Sequence, residues 1–415
     1  MKTNSKRIVI VGGGFGGLFT ALNLIDAGEI TLISAEDHFL FTPMLYEYLS
    51  GEVEAWHIAP YYTELWDDKI RFVHAEVTDV DLKARKVFVV DRARGINFDP
   101  FDYDALVLAV GGVTNYWNVE GAAEYAMPFR KLEHADAIRR RMIDALGHIP
   151  IDSAPQDARS KATFAIVGAG ASGVELATKM ADLLHDAFRR RDLPGEPRLL
   201  IMEMGDRIVP GMGEELRQYV QDALRIARVE VHTRTMVRRV TPEGLVFEHN
   251  GRETELEAAG VVWVGGVRVN PLVEKLPLEK DRRGLIEVEE TLQARGHAEV
   301  FALGDIAYYT NINSPRLTGT AQLAYQQAGL VARNVRALLA GKPLATERFN
   351  ELGEAVSLGT ERAAVLAGDR AFGGALARQA RFAMYSARLP TWHHRLRVGA
   401  SWFFEGTKAQ SLGRR

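Results

Sequence analysis

Short aliphatic runs that end in glycine and give way to stretches of helical periodicity recur along this chain. Ile8-Val9-Ile10-Val11 runs into Gly12, Val107-Leu108-Ala109-Val110 into Gly111 and Phe164-Ala165-Ile166-Val167 into Gly168. Val261-Val262-Trp263-Val264 runs into Gly265, and Val300-Phe301-Ala302-Leu303 into Gly304. Apolar runs of this length, bounded by glycine, predict strands buried on both faces of a sheet. The pattern places strands at 7–11 and 30–34 with a helix over 16–27 between them, further strands at 87–90 and 105–110, and a helix over 131–147. A second unit of similar plan begins at 163, with a helix over 172–189, a charged loop containing Pro and Gly at 189–197, and a strand at 198–203. A helix over 319–339 follows the last apolar run.

Two of these turns share one spacing, Gly12-x-Gly14-x-x-Gly17 and Gly168-x-Gly170-x-x-Gly173. Between a strand and a helix, the first glycine makes the tight turn, the second lets a pyrophosphate approach the backbone, and the third packs helix on strand. The helix N-terminus then offers free N–H groups and a positive dipole end to the phosphates. One such match fits many proteins. Two in one chain point to two nucleotides held face to face, for hydride traffic between a bound flavin and a nicotinamide. The expected fold class is α/β, with two Rossmann-like dinucleotide-binding domains and a small C-terminal region. Residues 1–115 and 285–340 are assigned to one, discontinuous, dinucleotide-binding domain, 116–284 to the other, and 341–415 to a C-terminal region for membrane association or dimerisation.

Composition removes several alternatives. A chain of 415 residues, 47% of them hydrophobic, has material for two to three domains with real cores. A net charge of −3 gives no reason to expect a nucleic-acid partner. The absence of cysteine excludes disulfides, thiolate metal sites and redox thiols, which argues against sulfide:quinone oxidoreductases and disulfide reductases. The histidines show no metal-ligand pattern, so no metal is expected; the adjacent His393 and His394 read as surface or interfacial residues. No apolar run is long enough to span a bilayer, and the polar start, Met1 to Arg7, shows no secretory signal. The expected location is peripheral, on the cytoplasmic face of a membrane.

Four further stretches carry a family likeness: Phe39-Leu40-Phe41-Thr42-Pro43-Met44-Leu45-Tyr46, Val262-Trp263-Val264-Gly265-Gly266-Val267-Arg268-Val269-Asn270-Pro271, Val300-Phe301-Ala302-Leu303-Gly304-Asp305 and Ala321-Gln322-Leu323-Ala324-Tyr325-Gln326-Gln327. Over roughly residues 6–340 the chain resembles the two-dinucleotide-binding flavoprotein oxidoreductases. Within them it looks most like type II NADH dehydrogenases, the single-subunit NADH:quinone oxidoreductases. The last stretch, similar to their A-Q-x-A-x-Q motif tied to quinone, is the most specific. Gly51-Glu52-Val53-Glu54-Ala55-Trp56-His57-Ile58-Ala59-Pro60 is similar to the branch found in oxygenic phototrophs.

The resemblance implies FAD at the first fingerprint, contacted by Gly12, Gly14, Phe15, Gly16, Gly17, Pro43, Gly111, Asp305, Ala321 and Gln322. It implies NADH at the second, contacted by Gly168, Gly170, Gly173, Glu175, Glu203, Gly265 and Gly266. Many members carry an acidic residue at the end of the second strand to bind the ribose. Ser34 stands there in this chain, with Glu36 two residues on. Either Glu36 takes that role or a hydroxyl contact replaces it, and a solvated loop carboxylate is the plainer reading of Glu36. Glu203, at the end of strand 198–203, suits both adenosine ribose hydroxyls and repels a 2′-phosphate, which predicts NADH over NADPH; the alternative is a turn carboxylate paired with Arg207. A carboxylate at Glu175, in the first helical turn, is favoured by the helix dipole alone. The resemblance adds a catalytic role near the nicotinamide and flavin rings, in binding or in proton movement to the quinone. Gln322 and Gln326 are four apart and share a helix face; the motif assigns their amides to a quinone carbonyl, against the alternative of two exposed polar residues. Asp305 matches the family's second flavin motif, although aspartate also caps helices readily.

From residue 370 onward Lys and Arg number nine, against the single acid Glu405. They are Arg370, Arg378, Arg381, Arg388, Arg395, Arg397, Lys408, Arg414 and Arg415, interleaved with large apolar residues. Phe382/Tyr385/Leu389 and Trp392/Leu396/Phe403 have helical spacing, and Pro390 is expected to separate two short helices. Such a tail suits an anionic membrane surface, or a helix pair docked on the body or on a second copy in a homodimer.

The activity implied is hydride transfer from NADH to FAD, then two-electron, two-proton reduction of a membrane quinone, without proton pumping. Other readings stay open: a soluble FAD-dependent NAD(P)H reductase serving a ferredoxin-like protein, a quinone-biosynthesis NAD(P)H:quinone reductase, and a nucleotide-dependent interaction protein of the apoptosis-inducing-factor kind.

Overall fold

The computed structural model describes residues 5–66, 68–313, 317–367 and 370–413. Two five-stranded parallel sheets organise it. The first runs in the order Val300–Ala302, Ala105–Leu108, Arg7–Val11, Glu29–Ser34, Ile70–His74. The second runs Met127–Pro128, Gly260–Trp263, Thr163–Val167, Arg198–Met202, Val229–His232. In each sheet the central strand ends in the three-glycine turn, and the neighbour Ala105–Leu108 or Gly260–Trp263 leads into a Gly-Gly pair. The two units therefore share one plan. Every residue of Ala105–Leu108 and Thr163–Val167 is buried, as continuous apolar strands of parallel sheets require.

Helices Phe15–Leu24 and Ala171–Arg190 follow the two turns. The first stops short of the expected residue 27, because Ile25 leaves helical backbone and Asp26 has φ +71°. Helix Ala321–Leu339 is capped by the Thr320 hydroxyl, which accepts the Leu323 N–H at 3.1 Å. It packs on Phe15–Leu24, with the Tyr325 and Phe19 rings 4.7 Å apart in an edge-to-face contact.

The expected strand at 87–90 exists as Lys86–Asp91, but it pairs antiparallel with Glu76–Asp81 in a separate sheet. A second antiparallel sheet, Thr235–Thr241, Gly244–His249 and Arg252–Glu257, was not foreseen. Its last strand is almost wholly exposed, so it has no apolar face to betray it. The C-terminal region is likewise richer than an amphipathic tail. It opens with the antiparallel strands Glu354–Ser357, Ala363–Ala367 and Arg370–Gly374 before helices Ala375–Ser386 and Trp392–Glu405, which Pro390 separates.

Those two helices divide between the docked and the exposed readings of the tail. Phe382, Tyr385 and Leu389 turn inward and are buried, whereas Leu376, Trp392, Leu396, Phe403 and Phe404 are exposed, the last two at 82%. Arg378 and Arg381 also turn inward, onto Glu52 and Glu47, and Arg395 is tied to the Leu389 carbonyl. Arg414 and Arg415 lie outside the described residues. His394 is buried, with Nε2 3.0 Å from the His57 carbonyl oxygen, so only His393 of the pair is a surface residue. Among the described residues, no helix is long and apolar enough to cross a membrane.

Candidate functional site

A cleft of about 1070 Å³ opens where the first glycine turn, the helix after the second turn and the C-terminal region meet. Gly12 to Gly16, Ser34, Glu36, Pro43, Gly111, Asp305, Ala321 and Gln322 line it from the first unit. Ser172 and Glu175 line it from helix Ala171–Arg190, and Met384 and Tyr385 from helix Ala375–Ser386.

What a side chain would strike shapes each turn. A Cβ on Gly17 would lie 1.8 Å from the Gly12 carbonyl oxygen, and one on Gly173 1.9 Å from that of Gly168. The third glycine is therefore what lets the helix pack on the turn. At Gly14 and Gly170 nothing lies within 4 Å, so the backbone there is open to a phosphate. The first turn, opening on a cleft of this size that Asp305 also lines, fits a flavin dinucleotide. The glycines thus predict two distinct failures. Gly17→Ala should lower the melting temperature by several degrees and lose the bound flavin with it. Gly14→Val should keep the apoprotein's melting temperature and lose only FAD absorbance after gel filtration.

Around the second turn, the two oxygens of Glu203 accept the Ala169 N–H at 2.8 Å and the Gly205 N–H at 2.7 Å. Arg207 pairs with Asp206, so the alternative pairing with Glu203 does not form. Gly265 packs against Gly168, and its carbonyl accepts the Trp117 Nε1–H at 2.6 Å, with the Trp117 ring beside Gly266. Gly168, Gly170, Gly173, Glu203, Gly265 and Gly266 surround this turn rather than line the cleft. Glu36 and Ser34 both line the cleft; Glu36 pairs with Lys131, and the Ser34 hydroxyl accepts the Glu36 N–H at 3.3 Å. Burial raises the Asp305 carboxyl above its ordinary value, with Arg130 opposing.

The two glutamines are placed differently. Gln322 lines the cleft, but its amide is engaged by the loop beside it: Nε2 donates to the Gly353 carbonyl at 3.2 Å and Oε1 accepts the Leu352 N–H at 2.9 Å. Gln326, one helical turn on, donates to the Asn350 carbonyl at 3.0 Å and lies off the cleft wall. The structure therefore brings the Gln322 amide to the cleft and leaves that of Gln326 outside it. Gln327, which the sequence reading passed over, is fully buried, and its Oε1 accepts the Gly304 N–H at 2.8 Å, fixing the segment that carries Asp305.

Glu175 is buried in a charge cluster. Its Oε1 accepts the Ser357 N–H at 2.8 Å and lies 3.3 Å from Arg381 Nη2. That Nη2 also donates to the Pro43 carbonyl at 2.8 Å, while Nη1 donates to Glu47 at 2.7 Å. Glu47 is 3.3 Å from Lys179, which pairs with Glu52, and Glu52 accepts from Arg378 at 2.7 Å. Burial raises the Glu175 carboxyl to about 7, with Arg381 the strongest opposing influence. Burial alone would raise Glu47 too, but Arg381 and Lys179 together hold it below the usual carboxylate range. Arg381, Glu47, Lys179 and Glu52 were not read from the sequence as site residues. The available signal was Lys179, four residues after Glu175 on one helix face.

Two strand-turn-helix nucleotide cradles, one of them opening on the cleft and the other sending its helix into it, define a two-dinucleotide-binding oxidoreductase architecture. A family model described as pyridine nucleotide-disulphide oxidoreductase matches residues 6–328. The chain is 36% identical to demethylphylloquinone reductase NdbB of Synechocystis sp. over 95% of each chain, and 33% identical to type II NADH:quinone oxidoreductase Ndh of Mycobacterium tuberculosis over 83% of this chain and 75% of that one. The solved structure of NDH2 from Plasmodium falciparum in complex with NADH superposes with a TM-score of 0.84 over 97% of this chain and 99% of that one, at 19% identity. The chain belongs to the pyridine nucleotide-disulphide oxidoreductase family, in its type II NADH dehydrogenase branch.

Proposed function

We propose that this chain is a single-subunit NADH:quinone oxidoreductase, working without proton pumping on the cytoplasmic face of a membrane. The observation that carries the reading is the cleft itself. It joins the first glycine turn, the start of the helix after the second turn and Gln322 of the quinone motif on one wall system. FAD, when bound, supplies the redox chemistry that links a two-electron donor to a two-electron acceptor. Residues 1–115 with 285–340 hold it, through the cradle at Gly14 and through Asp305. Residues 116–284 hold NADH at the turn Gly168 to Gly173. Glu203 favours the unphosphorylated ribose, its charge set in place by two backbone N–H groups. Glu175, at the meeting of both units, holds a proton near neutral pH for the quinone.

The relative at 36% identity is named for demethylphylloquinone, which favours a second reading within the class: a naphthoquinone of quinone biosynthesis as substrate. Exposed Trp392, Leu396, Phe403 and Phe404, in a segment that also exposes Arg397 and Lys408, suit insertion into an anionic interface. A second copy in a homodimer would present two such patches. An acceptor of the ferredoxin kind has no use for this apolar surface.

The test uses anionic vesicles carrying a long-chain quinone. The wild-type chain is expected to sediment with them and to oxidise NADH, faster with naphthoquinone than benzoquinone if the biosynthetic reading holds. Phe403→Ser with Phe404→Ser is expected to lose vesicle binding at least tenfold while keeping turnover on a soluble short-chain quinone. Equal sedimentation of both proteins would refute the membrane part of the reading.

A further inference from the structure

The buried charge cluster behind the cleft holds three carboxylates, Glu47, Glu52 and Glu175, and three cations, Lys179, Arg378 and Arg381. Burying so many charges is costly, and their retention in place of apolar packing asks for a reason. The geometry supplies one. Arg381 is the only guanidinium in contact with Glu175 among the described residues, and it is shared. Its short contacts go to Glu47 at 2.7 Å and the Pro43 carbonyl at 2.8 Å, while Glu175 receives the longest, at 3.3 Å. Among the described residues, Glu47 in turn keeps one buried oxygen, Oε2, without a hydrogen bond. Its other oxygen, Oε1, accepts from Arg381 Nη1 at 2.7 Å and lies 3.3 Å from Lys179 Nζ.

We propose that Glu47 is a positioning residue that draws Arg381 away from Glu175 and so leaves Glu175 able to take up and release a proton during quinone reduction. The inference rests on the quinone reading above for its use, though not for its electrostatics. Glu175 is faced by Arg381 and Tyr385 from helix Ala375–Ser386, by Glu47 and Tyr46 from the segment after Pro43, by Lys179 from its own helix, and by the Ser357 N–H. Of these, Glu47 is the one whose negative charge raises the Glu175 carboxyl directly, while Arg381, Lys179 and the Ser357 N–H lower it. Removing the charge of Glu47 acts twice in one direction: its repulsion is lost, and Arg381 is freed to pair with Glu175. Both drive the Glu175 midpoint down. Removing Lys179 acts in the opposite direction.

The experiment follows the protonated-carboxyl infrared band of the purified flavoprotein against pH, assigned to Glu175 by its absence in Glu175→Gln. The wild type is expected to titrate near pH 7. Glu47→Gln should move that midpoint down by about one pH unit or more, and Lys179→Gln should move it up. The alkaline fall of quinone turnover should move with it in each variant, whereas a purely structural defect would lower turnover at every pH and leave the midpoint fixed. If Glu47→Gln does not accumulate as folded protein, Lys179→Gln and Glu47→Asp, which keeps the charge and should keep the midpoint, carry the test. A midpoint that stays fixed in the charge-removing variants, or a wild-type band that does not titrate near neutrality, overturns the inference. A midpoint that moves in a protein that turns over no quinone would overturn the proposed function and leave the inference standing.

Discussion

Replacing Arg381 by methionine is expected to destabilise the fold by about 3–5 kcal/mol, because it removes the guanidinium shared by two buried carboxylates. Arg381 is 1% exposed and touches Glu47, Glu175 and the Pro43 carbonyl at once. Glu47 loses its closest cation, and Glu175 the strongest influence opposing its burial. Both carboxyls then rise, so the folded state binds protons more readily than the unfolded chain. The loss should therefore be largest near about pH 8 and shrink toward about pH 5, where a proton replaces the missing charge. Thermal melts across that range, with the exposed Arg397→Met as control, check the prediction. A pH-independent loss matching that of the control would mean that the cluster is not electrostatically coupled.

The second large effect is on catalysis. Glu175→Gln is expected to lower quinone turnover about 100-fold or more, the range typical of a removed proton donor. It should leave NADH binding nearly unchanged, because the second glycine turn and Glu203 stay intact. The wild-type rate should fall as pH rises through about 7, where the Glu175 carboxyl gives up its proton. In Glu175→Gln that fall should be absent. Stability gives an independent sign. The folded value lies above the ordinary value of 4.5, so the stability linked to this proton is fully present below 4.5 and is lost as pH rises through about 7. Glu175→Gln removes that slope, so its stability should be flatter than wild type over the interval. Steady-state rates and melts across the same buffers read both signs together.

Much of this was legible in the order of residues. The central strands of the two parallel sheets, both glycine turns and the helix at 319–339 follow from apolar runs and turn chemistry, which are local. Glu203 and Asp305 could be placed because each ends or follows a strand whose position was already read. The charge cluster was not legible, because Glu47, Glu175 and Arg381 come from three distant segments, and a charged residue in a sequence looks solvated until its partner is known. For the same reason the arginines of the tail read as one basic surface, although Arg378 and Arg381 turn inward. Helical spacing grouped Phe382/Tyr385/Leu389 and Trp392/Leu396/Phe403 correctly, yet said nothing about which set met the body. The structure separates them, the first buried against Phe41 and Trp402, the second largely exposed. The glutamines show a similar limit. Spacing put Gln322 and Gln326 on one helix face, but the loop at 350–353 that takes up their amides is invisible to periodicity.

The central claim is that two nucleotide cradles serve one cleft to pass two electrons from NADH to a quinone. It is tested most directly by steady-state oxidation of NADH by the purified yellow protein with a soluble short-chain quinone, with NADPH run alongside. Rapid quinone-dependent turnover with NADH and little with NADPH is the predicted result, and it would support the cleft and Glu203 together. Bleaching of the flavin by NADH without turnover on any quinone would contradict the claim and direct the search to a protein electron acceptor.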